Sequence, residues 1–318
     1  MLLLIQYTLI FATVLTLVAL AGMFSERSGV INLGLEGIMV IGGLGGALMM
    51  HFLPETANPF LVVFVGIIGS IIFGLIYSML LAVAAVTFKA DQTITGTAMN
   101  ILAPAFATVV VKALTLKETG KATPRLEYIT FHNYFVFKIG DIEFNWFFIL
   151  MILFVAIAWI VLYKTKFGLR LMSCGENPQA ADSVGINVIK YRYIGVAISG
   201  ILGGLGGFAF INSANSQWSF DYGVAGFGFL ALAVMIFGQW KPLFILLGAL
   251  LFGFFRTFDN VSTSLPFIKD LAIDPTFYKM LPYIVCLVVL MFTSKKVGLL
   301  KLKVYLTINL LDRLIYII

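Results

Sequence analysis

The residues that could do covalent chemistry are few in this chain, and they form no catalytic pattern. Its two histidines, His51 and His132, stand far apart in the sequence, and no HExxH, CxxC, GxSxG or phosphate-binding GxxxxGK[ST] motif occurs. The two cysteines, Cys174 and Cys286, are too few for a disulfide framework. We therefore predict no catalytic residue, no metal site and no cofactor. Any ATP hydrolysis linked to this chain would belong to a separate protein.

Polar side chains inside apolar stretches carry more information. Carboxylates and amides are costly in hydrocarbon, and such residues usually face the interior of a helix bundle or a water-filled path. Asn32 and Glu36 enter a glycine-rich apolar run, and Asn100 lies deep in another. One interpretation is that neighbouring helices form hydrogen bonds with these groups, so that Asn100 joins two helices. The other is that they line a path for a polar solute.

A second polar group lies at the end of a later apolar run, where Asn212 and Asn215 precede Trp218 and Tyr222. Amides beside aromatic rings suit a planar polar solute that stacks and forms hydrogen bonds. An interfacial aromatic belt explains Trp218 and Tyr222 equally well, and a lipid-facing position explains Phe227. The predicted pathway residues are Asn32, Glu36, Asn100, Asn212, Asn215 and Phe227.

Residues 164–192 form a polar interruption that contains five basic residues and the motif Gly-Glu-Asn-Pro. Asn177 followed by Pro178 indicates a helix start, because proline is favoured at the first helical position. Gly185 indicates its end. We predict a short helix over residues 179–184, with Ala180 and Ala181 on one smooth face. The segment is either a passive connector or a docking site through which a soluble partner acts on the membrane domain.

Membrane helices must position these residues. Of the 318 residues, 61% are hydrophobic and 11% are charged, against roughly 25% charged in soluble domains. Lipid leaves no partner for free backbone groups, so we predict an all-α polytopic membrane protein of about nine spans (roughly 8–10), each with about 20 apolar residues. The predicted spans are Leu2–Phe24, Gly29–Met50, Phe60–Phe88, Thr93–Leu116, Phe144–Tyr163, Tyr193–Asn212, Gly223–Gln239, Pro242–Phe258 and Met280–Thr293.

The basic residues predict the orientation of these spans. If the 164–192 loop is cytoplasmic, 13 of the 21 Lys and Arg residues fall on that side and 8 on the other, which is the expected bias. The N-terminus is then outside and the C-terminus inside. No basic run is typical of nucleic-acid binding.

Four further features concern the connections and the domain organisation. Between the predicted spans, 117–143 contains a candidate hairpin around residues 134–140, and 259–279 contains a candidate surface helix. We predict one transmembrane domain over 1–296 and an interfacial amphipathic tail over 297–318.

Three motifs resemble a known family. Residues 25–37 (SERSGVINLGLEG), 90–100 (ADQTITGTAMN) and 175–186 (GENPQAADSVGI) resemble the permease subunits of bacterial ABC importers. The resemblance is to the superfamily that includes ribose and branched-chain amino-acid permeases, and within it to the nucleoside (simple-sugar-like) branch. The first motif is the most specific to that branch. The tail from Val297 does not match the pattern of the family.

The resemblance implies a permease subunit in the bacterial cytoplasmic (inner) membrane that forms the translocation pathway for nucleosides and is not itself an enzyme. It also implies ABC ATPase subunits, a second permease subunit that is identical or related, and an extracytoplasmic substrate-binding (lipo)protein. Alternatives are a permease for simple sugars or branched-chain amino acids and, less in keeping with the motifs, an ion-coupled secondary transporter. The residues that would couple to the ATPase are Gly175, Glu176, Asn177, Pro178, Ala180, Ala181, Gly185 and Ile186.

Overall fold

Apolar helices dominate the computed structural model, which describes residues 2–54, 56–127, 136–139, 142–214, 217–261, 280–285 and 287–288. Within these residues, 5 helices are long and apolar enough to cross a membrane, and three shorter apolar helices accompany them. The prediction of a helical, multi-pass membrane protein is confirmed, while the count of about nine spans and the orientation stay predictions. The five long spans are Leu4–Arg27, Phe60–Thr87, Gln92–Thr119, Trp146–Lys164 and Val188–Asn212.

The helices are labelled in chain order. Residues 280–285 and 287–288 are also helical, whereas most of 259–279 and all of the tail 297–318 lie outside the described residues. The labelled helices are α1 (Leu2–Arg27), α2 (Leu35–His51), α3 (Pro59–Ala82, continued by a π-helical turn Val83–Thr87), α4 (Gln92–Thr119), α5 (Trp146–Lys164), α6 (Lys166–Glu176), α7 (Pro178–Ser183), α8 (Val188–Ala214), α9 (Phe227–Phe237) and α10 (Pro242–Val261).

Local chemistry sets the helix boundaries. The Asp91 side chain accepts hydrogen bonds from the backbone N–H groups of Thr93 and Ile94 and so caps α4. The predicted start of the second span at Gly29 is wrong, because α2 begins only at Leu35. Gly29 has a φ of 88°, and the Ser25 hydroxyl donates to the Val30 carbonyl over 2.8 Å. A non-helical connection therefore separates α1 from α2.

Short strands correct the all-α prediction. Strands β2 (Val136–Ile139) and β3 (Ile142–Asn145) pair antiparallel, as the candidate hairpin predicts. Strand β1 (Arg125–Glu127) pairs with β4 (Gln217–Ser219), which the sequence did not indicate. These pairs lie in the connections between helices and leave the helical bundle intact.

Glycine allows the central helices to approach closely. Helices α2, α3 and α8 pack against one another, and α1 packs against α8 and α10. The two Gly-Gly-Leu-Gly-Gly runs, 42–46 in α2 and 203–207 in α8, lie where these two helices cross. A Cβ at Gly42 would overlap the backbone of Gly204, and a Cβ at Gly207 would overlap the Met39 carbonyl. Close backbone packing of this kind drives helix association in lipid.

Candidate functional site

Glu36 in the first turn of α2 holds the start of another helix. Its Oε1 accepts a hydrogen bond from the Gly226 backbone N–H over 2.8 Å, and its Oε2 accepts one from Gly228 over 2.6 Å. Gly226 immediately precedes α9 and Gly228 lies in its first turn, where a helix has unpaired donors and the positive end of its dipole. The carboxylate therefore caps α9 across a sequence distance of 190 residues.

The contact between Glu36 and α9 depends on a missing side chain. A Cβ at Gly228 would lie 2.5 Å from the Glu36 Cα and 2.8 Å from its Oε2. Gly226, which precedes α9, has a φ of 79°, a left-handed conformation that glycine adopts without cost. Sequence reasoning did not identify either glycine as a partner of Glu36.

Asn32 and Asn100 are also satisfied by the protein itself. Asn32 is fully buried, and its side chain donates to Ser199 Oγ over 2.9 Å and accepts from the Gly34 backbone N–H over 3.1 Å. Asn100 in α4 accepts from the Gly37 N–H over 2.8 Å and donates to the Leu33 carbonyl over 2.7 Å. The structure thus brings Asn32, Glu36 and Asn100 together around the non-helical connection between α1 and α2.

Phe227 lies in an aromatic cluster at the start of α9. It is 2% exposed, and its ring centroid is 4.6 Å from Phe210 and 5.4 Å from Phe11. Trp218 packs edge-on against Phe210, and its indole N–H donates to the Gly223 carbonyl. The Arg256 guanidinium lies 5.2 Å from the Phe227 ring centroid. These contacts bury Phe227 inside the chain.

Asn212 lies apart from the three polar residues around the α1–α2 connection. It is 8% exposed, and its Nδ2 donates to the Phe208 carbonyl over 2.9 Å. Its Oδ1 is buried and has no hydrogen-bond partner among the described residues. Asn215, the other predicted amide, lies outside the described residues.

The predicted short helix is present as α7. The Asn177 Oδ1 accepts from the Ala180 N–H over 3.0 Å and caps this helix, Pro178 occupies its first position, and Gly185 follows it with a φ of 79°. Beside it lies a groove of about 580 Å³. Its lining residues are Pro178, Gln179, Asp182, Gly185, Ile186, Asn187, Val188 and Ile189.

The prediction that Ala180 and Ala181 share one exposed face is wrong. Ala180 is exposed, whereas Ala181 is 3% exposed. Ala181 therefore points into the protein while Ala180 points outward. Val184, which is 74% exposed, and Gly185 extend the outward surface of α7.

The end of α6 packs tightly against the end of α1. A Cβ at Gly175 would overlap the Arg27 carbonyl oxygen, and Glu176 Oε1 lies 3.7 Å from an Arg27 nitrogen. The neighbouring Cys174 is fully buried. Burial raises the pKa of the Cys174 thiol, while the positive charge of Arg192 opposes this increase. The thiol is therefore uncharged near neutral pH, and its role is packing.

Helices α4 and α5 are similarly exposed but differ in chemistry. In each helix, 28% of the most apolar 18-residue stretch is buried inside the chain. Apart from Lys164 at its end, the exposed large residues of α5 are apolar or aromatic, which suits lipid. The exposed face of α4 carries polar and small residues among its apolar ones. Those polar and small exposed residues are Thr93, Thr97, Ala98, Ala105, Ala113, Lys117, Glu118 and Thr119.

Five helices of the described residues are long and apolar enough to cross a membrane, and polar side chains are buried between helices, as in a multi-pass membrane protein. Among the described residues, no group of three or more His, Cys, Asp or Glu side chains could hold a metal ion. The chain belongs to the family described as branched-chain amino acid transport system / permease component, whose pattern matches residues 4–290. This confirms the resemblance drawn from the three motifs.

Individual relatives narrow this assignment. The chain is 39% identical over 295 residues to the guanosine ABC transporter permease protein NupQ of Bacillus subtilis, which covers 89% of each chain. It is 39% identical over 300 residues to the nucleoside ABC transporter permease protein NupC of Lactococcus lactis, covering 91% of this chain and 92% of that one. It is 33% identical over 268 residues to a putative glucose ABC transporter permease, TsgC13, of Haloferax volcanii, covering 83% and 78%.

Proposed function

We propose that this chain is the membrane-spanning permease subunit of an ATP-driven importer and forms the path for nucleosides. The observation that carries the proposal is the 39% identity, over about nine tenths of both chains, to permeases named for guanosine and for nucleosides. The structure supports it with several apolar spans and a capped helix outside the bundle. ATP hydrolysis belongs to a partner chain, and this subunit is not an enzyme.

Helix α7 is the proposed coupling helix, which transmits the movement of the ATPase. Its cap and its stop make it a rigid element between α6 and α8, and Ala180, Val184 and Gly185 present a surface with little side-chain bulk. Asn177 and Pro178 fix the start of the helix, and Ile186 borders the groove beside it. Gly175 and Glu176 join this element to α1. We place this end of the molecule in the cytoplasm, with about nine spans, an outside N-terminus and an inside C-terminus.

The solute path is proposed to run along the exposed face of α4. The Thr97 hydroxyl on that face donates to the Thr93 carbonyl over 2.8 Å, and its oxygen keeps lone pairs that can accept a hydrogen bond from water or a polar solute. Asn32, Glu36 and Asn100 support this path indirectly, because they hold the α1–α2 connection and the start of α2 against α4 and α9. Asn212, Asn215 and Phe227 stay proposed pathway residues, although Asn212 and Phe227 are buried within the described chain and Asn215 lies outside the described residues.

The complete transporter contains further proteins. We propose ABC ATPase subunits, a second permease subunit, either identical or related, and an extracytoplasmic substrate-binding (lipo)protein, assembled in the bacterial cytoplasmic membrane. Residues 1–296 form the permease domain in this proposal. We also propose that residues 297–318, which lie outside the described residues, form an amphipathic tail at the cytoplasmic surface.

A sugar permease is the second candidate, favoured by the 33% identity to the putative glucose permease. Reconstituted complexes separate the two. Radiolabelled guanosine is supplied with the matching binding protein, and unlabelled adenosine, ribose or glucose is added in excess. We expect adenosine to compete with uptake and the sugars not to compete. Uptake of labelled glucose, with no uptake of guanosine, would favour the sugar permease instead.

A further inference from the structure

The turn between α9 and α10 has an unusual backbone. Gln239 and Trp240 both adopt left-handed conformations, with φ values of 51° and 54°, which residues other than glycine adopt rarely. Such conformations persist where the surrounding structure holds them, and they often mark elements that move or switch. The contacts that hold this turn therefore bear on function.

Two neighbouring residues at the end of α1 hold the turn. The Trp240 indole N–H donates to the Glu26 carboxylate over 2.6 Å. The Arg27 guanidinium donates to the Trp240 carbonyl over 3.4 Å. Both the side chain and the main chain of Trp240 are thus attached to α1, although 214 positions separate it from Glu26.

Arg27 also faces the proposed coupling element. Its Nη1 lies 3.7 Å from Glu176 Oε1 at the end of α6, and its carbonyl oxygen packs against Gly175. Its Nε is buried, and no group in the described part of the chain forms a hydrogen bond with it. The guanidinium is therefore held by two long contacts to two different elements, in contrast to the short bond between Glu26 and Trp240.

We propose that Glu26, Arg27 and Trp240 are positioning residues that carry a displacement of the coupling helix to the α9–α10 turn. This inference rests on the proposed function. A shift of α6 and α7 moves Glu176 and Gly175 against Arg27, and the Glu26–Trp240 bond makes the turn follow the end of α1. The other end of α9 is capped by Glu36 beside α2. A movement of α9 therefore reaches the helix that packs against α4.

The test measures how much solute is imported for each ATP hydrolysed by the complete transporter in proteoliposomes. Trp240→Phe keeps an aromatic ring and removes the N–H donor. The matched control is Trp159→Phe, because Trp159 lies on α5 and is 39% exposed. Guanosine uptake and ATP hydrolysis are both divided by the amount of assembled complex. Both variants are also compared with the wild type in thermal stability.

We expect Trp240→Phe to lower the import-to-hydrolysis ratio by about tenfold, the equilibrium effect of losing one hydrogen bond to a charged group, while hydrolysis and Trp159→Phe stay near the wild-type values. A merely structural role would lower uptake and hydrolysis in parallel and leave the ratio unchanged, and this result would overturn the inference. If Trp240→Phe does not assemble, Arg27→Lys takes its place. Lysine keeps the charge but lacks the planar fork that reaches two partners.

For Arg27→Lys we expect a partial fall in the same ratio, and an unchanged ratio would likewise overturn the inference. The wild-type complex distinguishes this result from a failure of the proposed function. If the wild type imports no guanosine under ATP, the function is wrong. If it imports guanosine and the ratio is the same in every variant, only the transmission role is wrong.

Discussion

Replacement of Glu36 tests whether its carboxylate holds α9 in place. In Glu36→Ala, the Gly226 and Gly228 N–H groups lose their acceptors. Hydrogen bonds to charged groups contribute about 1.5–3 kcal/mol each. Because Glu36 is only half-buried, water can partly hydrate the freed groups, and we use the lower bound for both bonds. The expected loss is then about 3 kcal/mol in the free energy of unfolding.

Glu36→Gln should fall between the alanine variant and the wild type. Glutamine keeps one acceptor oxygen, but its NH₂ group then faces the second backbone donor, and two donors cannot form a hydrogen bond. The expected order of stability is wild type, Glu36→Gln, Glu36→Ala. The control is Glu118→Gln, which alters the partly exposed carboxylate paired with His51. Pairs of this kind contribute little to stability.

The assay is thermal unfolding of the purified protein in detergent, followed by tryptophan fluorescence. A loss of about 3 kcal/mol lowers the melting temperature by roughly 5 °C or more in a chain of this size. Glu118→Gln should leave it nearly unchanged. If Glu36→Ala melts with the wild type and only transport is lost, the carboxylate does not support α9. It would then be a group that acts on the solute path directly.

Three further predictions concern α4, α7 and Cys174. In a Cys174→Ala, Cys286→Ser background, Thr97→Cys on α4 should react with a charged, membrane-impermeant thiol reagent and be protected by guanosine, whereas Leu153→Cys on α5 should not react; equal labelling of both would refute the pathway proposal. Ala180→Asp should abolish guanosine uptake by placing a carboxylate on the proposed docking surface while the protein still inserts, and normal uptake would show that α7 is passive. In Cys286→Ser, the buried Cys174 should resist maleimide at pH 7 and react only at higher pH, because burial raises the pKa of its thiol and the thiolate is the reactive form; rapid labelling of the folded protein at pH 7 would contradict this.

Features encoded by neighbouring residues were predictable from the sequence. The apolar runs gave the long helices, since the length needed to cross hydrocarbon is a local property. The short helix α7 followed from Asn177, Pro178 and Gly185, whose cap, first position and stop each act within one turn. Even the β2–β3 hairpin could be anticipated from residues close to it in the chain.

Features that depend on distant partners were not predictable in the same way. Glu36 was recognised as an unusual carboxylate, but its partners Gly226 and Gly228 lie about 190 positions away. Periodicity does not assign such pairs. The burial of Ala181 was missed for a related reason, because a short helix gives no apolar stripe from which its inward face can be read. Trp240 was missed entirely, since its role depends on Glu26 and Arg27 in another helix.

The most direct test of the central claim is guanosine uptake into proteoliposomes that contain the complete transporter. The ATPase subunits face the added nucleotide, and the binding protein is on the opposite side. We predict uptake with ATP and Mg²⁺, and none with ADP or with an ATPase variant that cannot hydrolyse ATP. Uptake driven by a proton or sodium gradient without ATP would contradict the account and identify a secondary transporter.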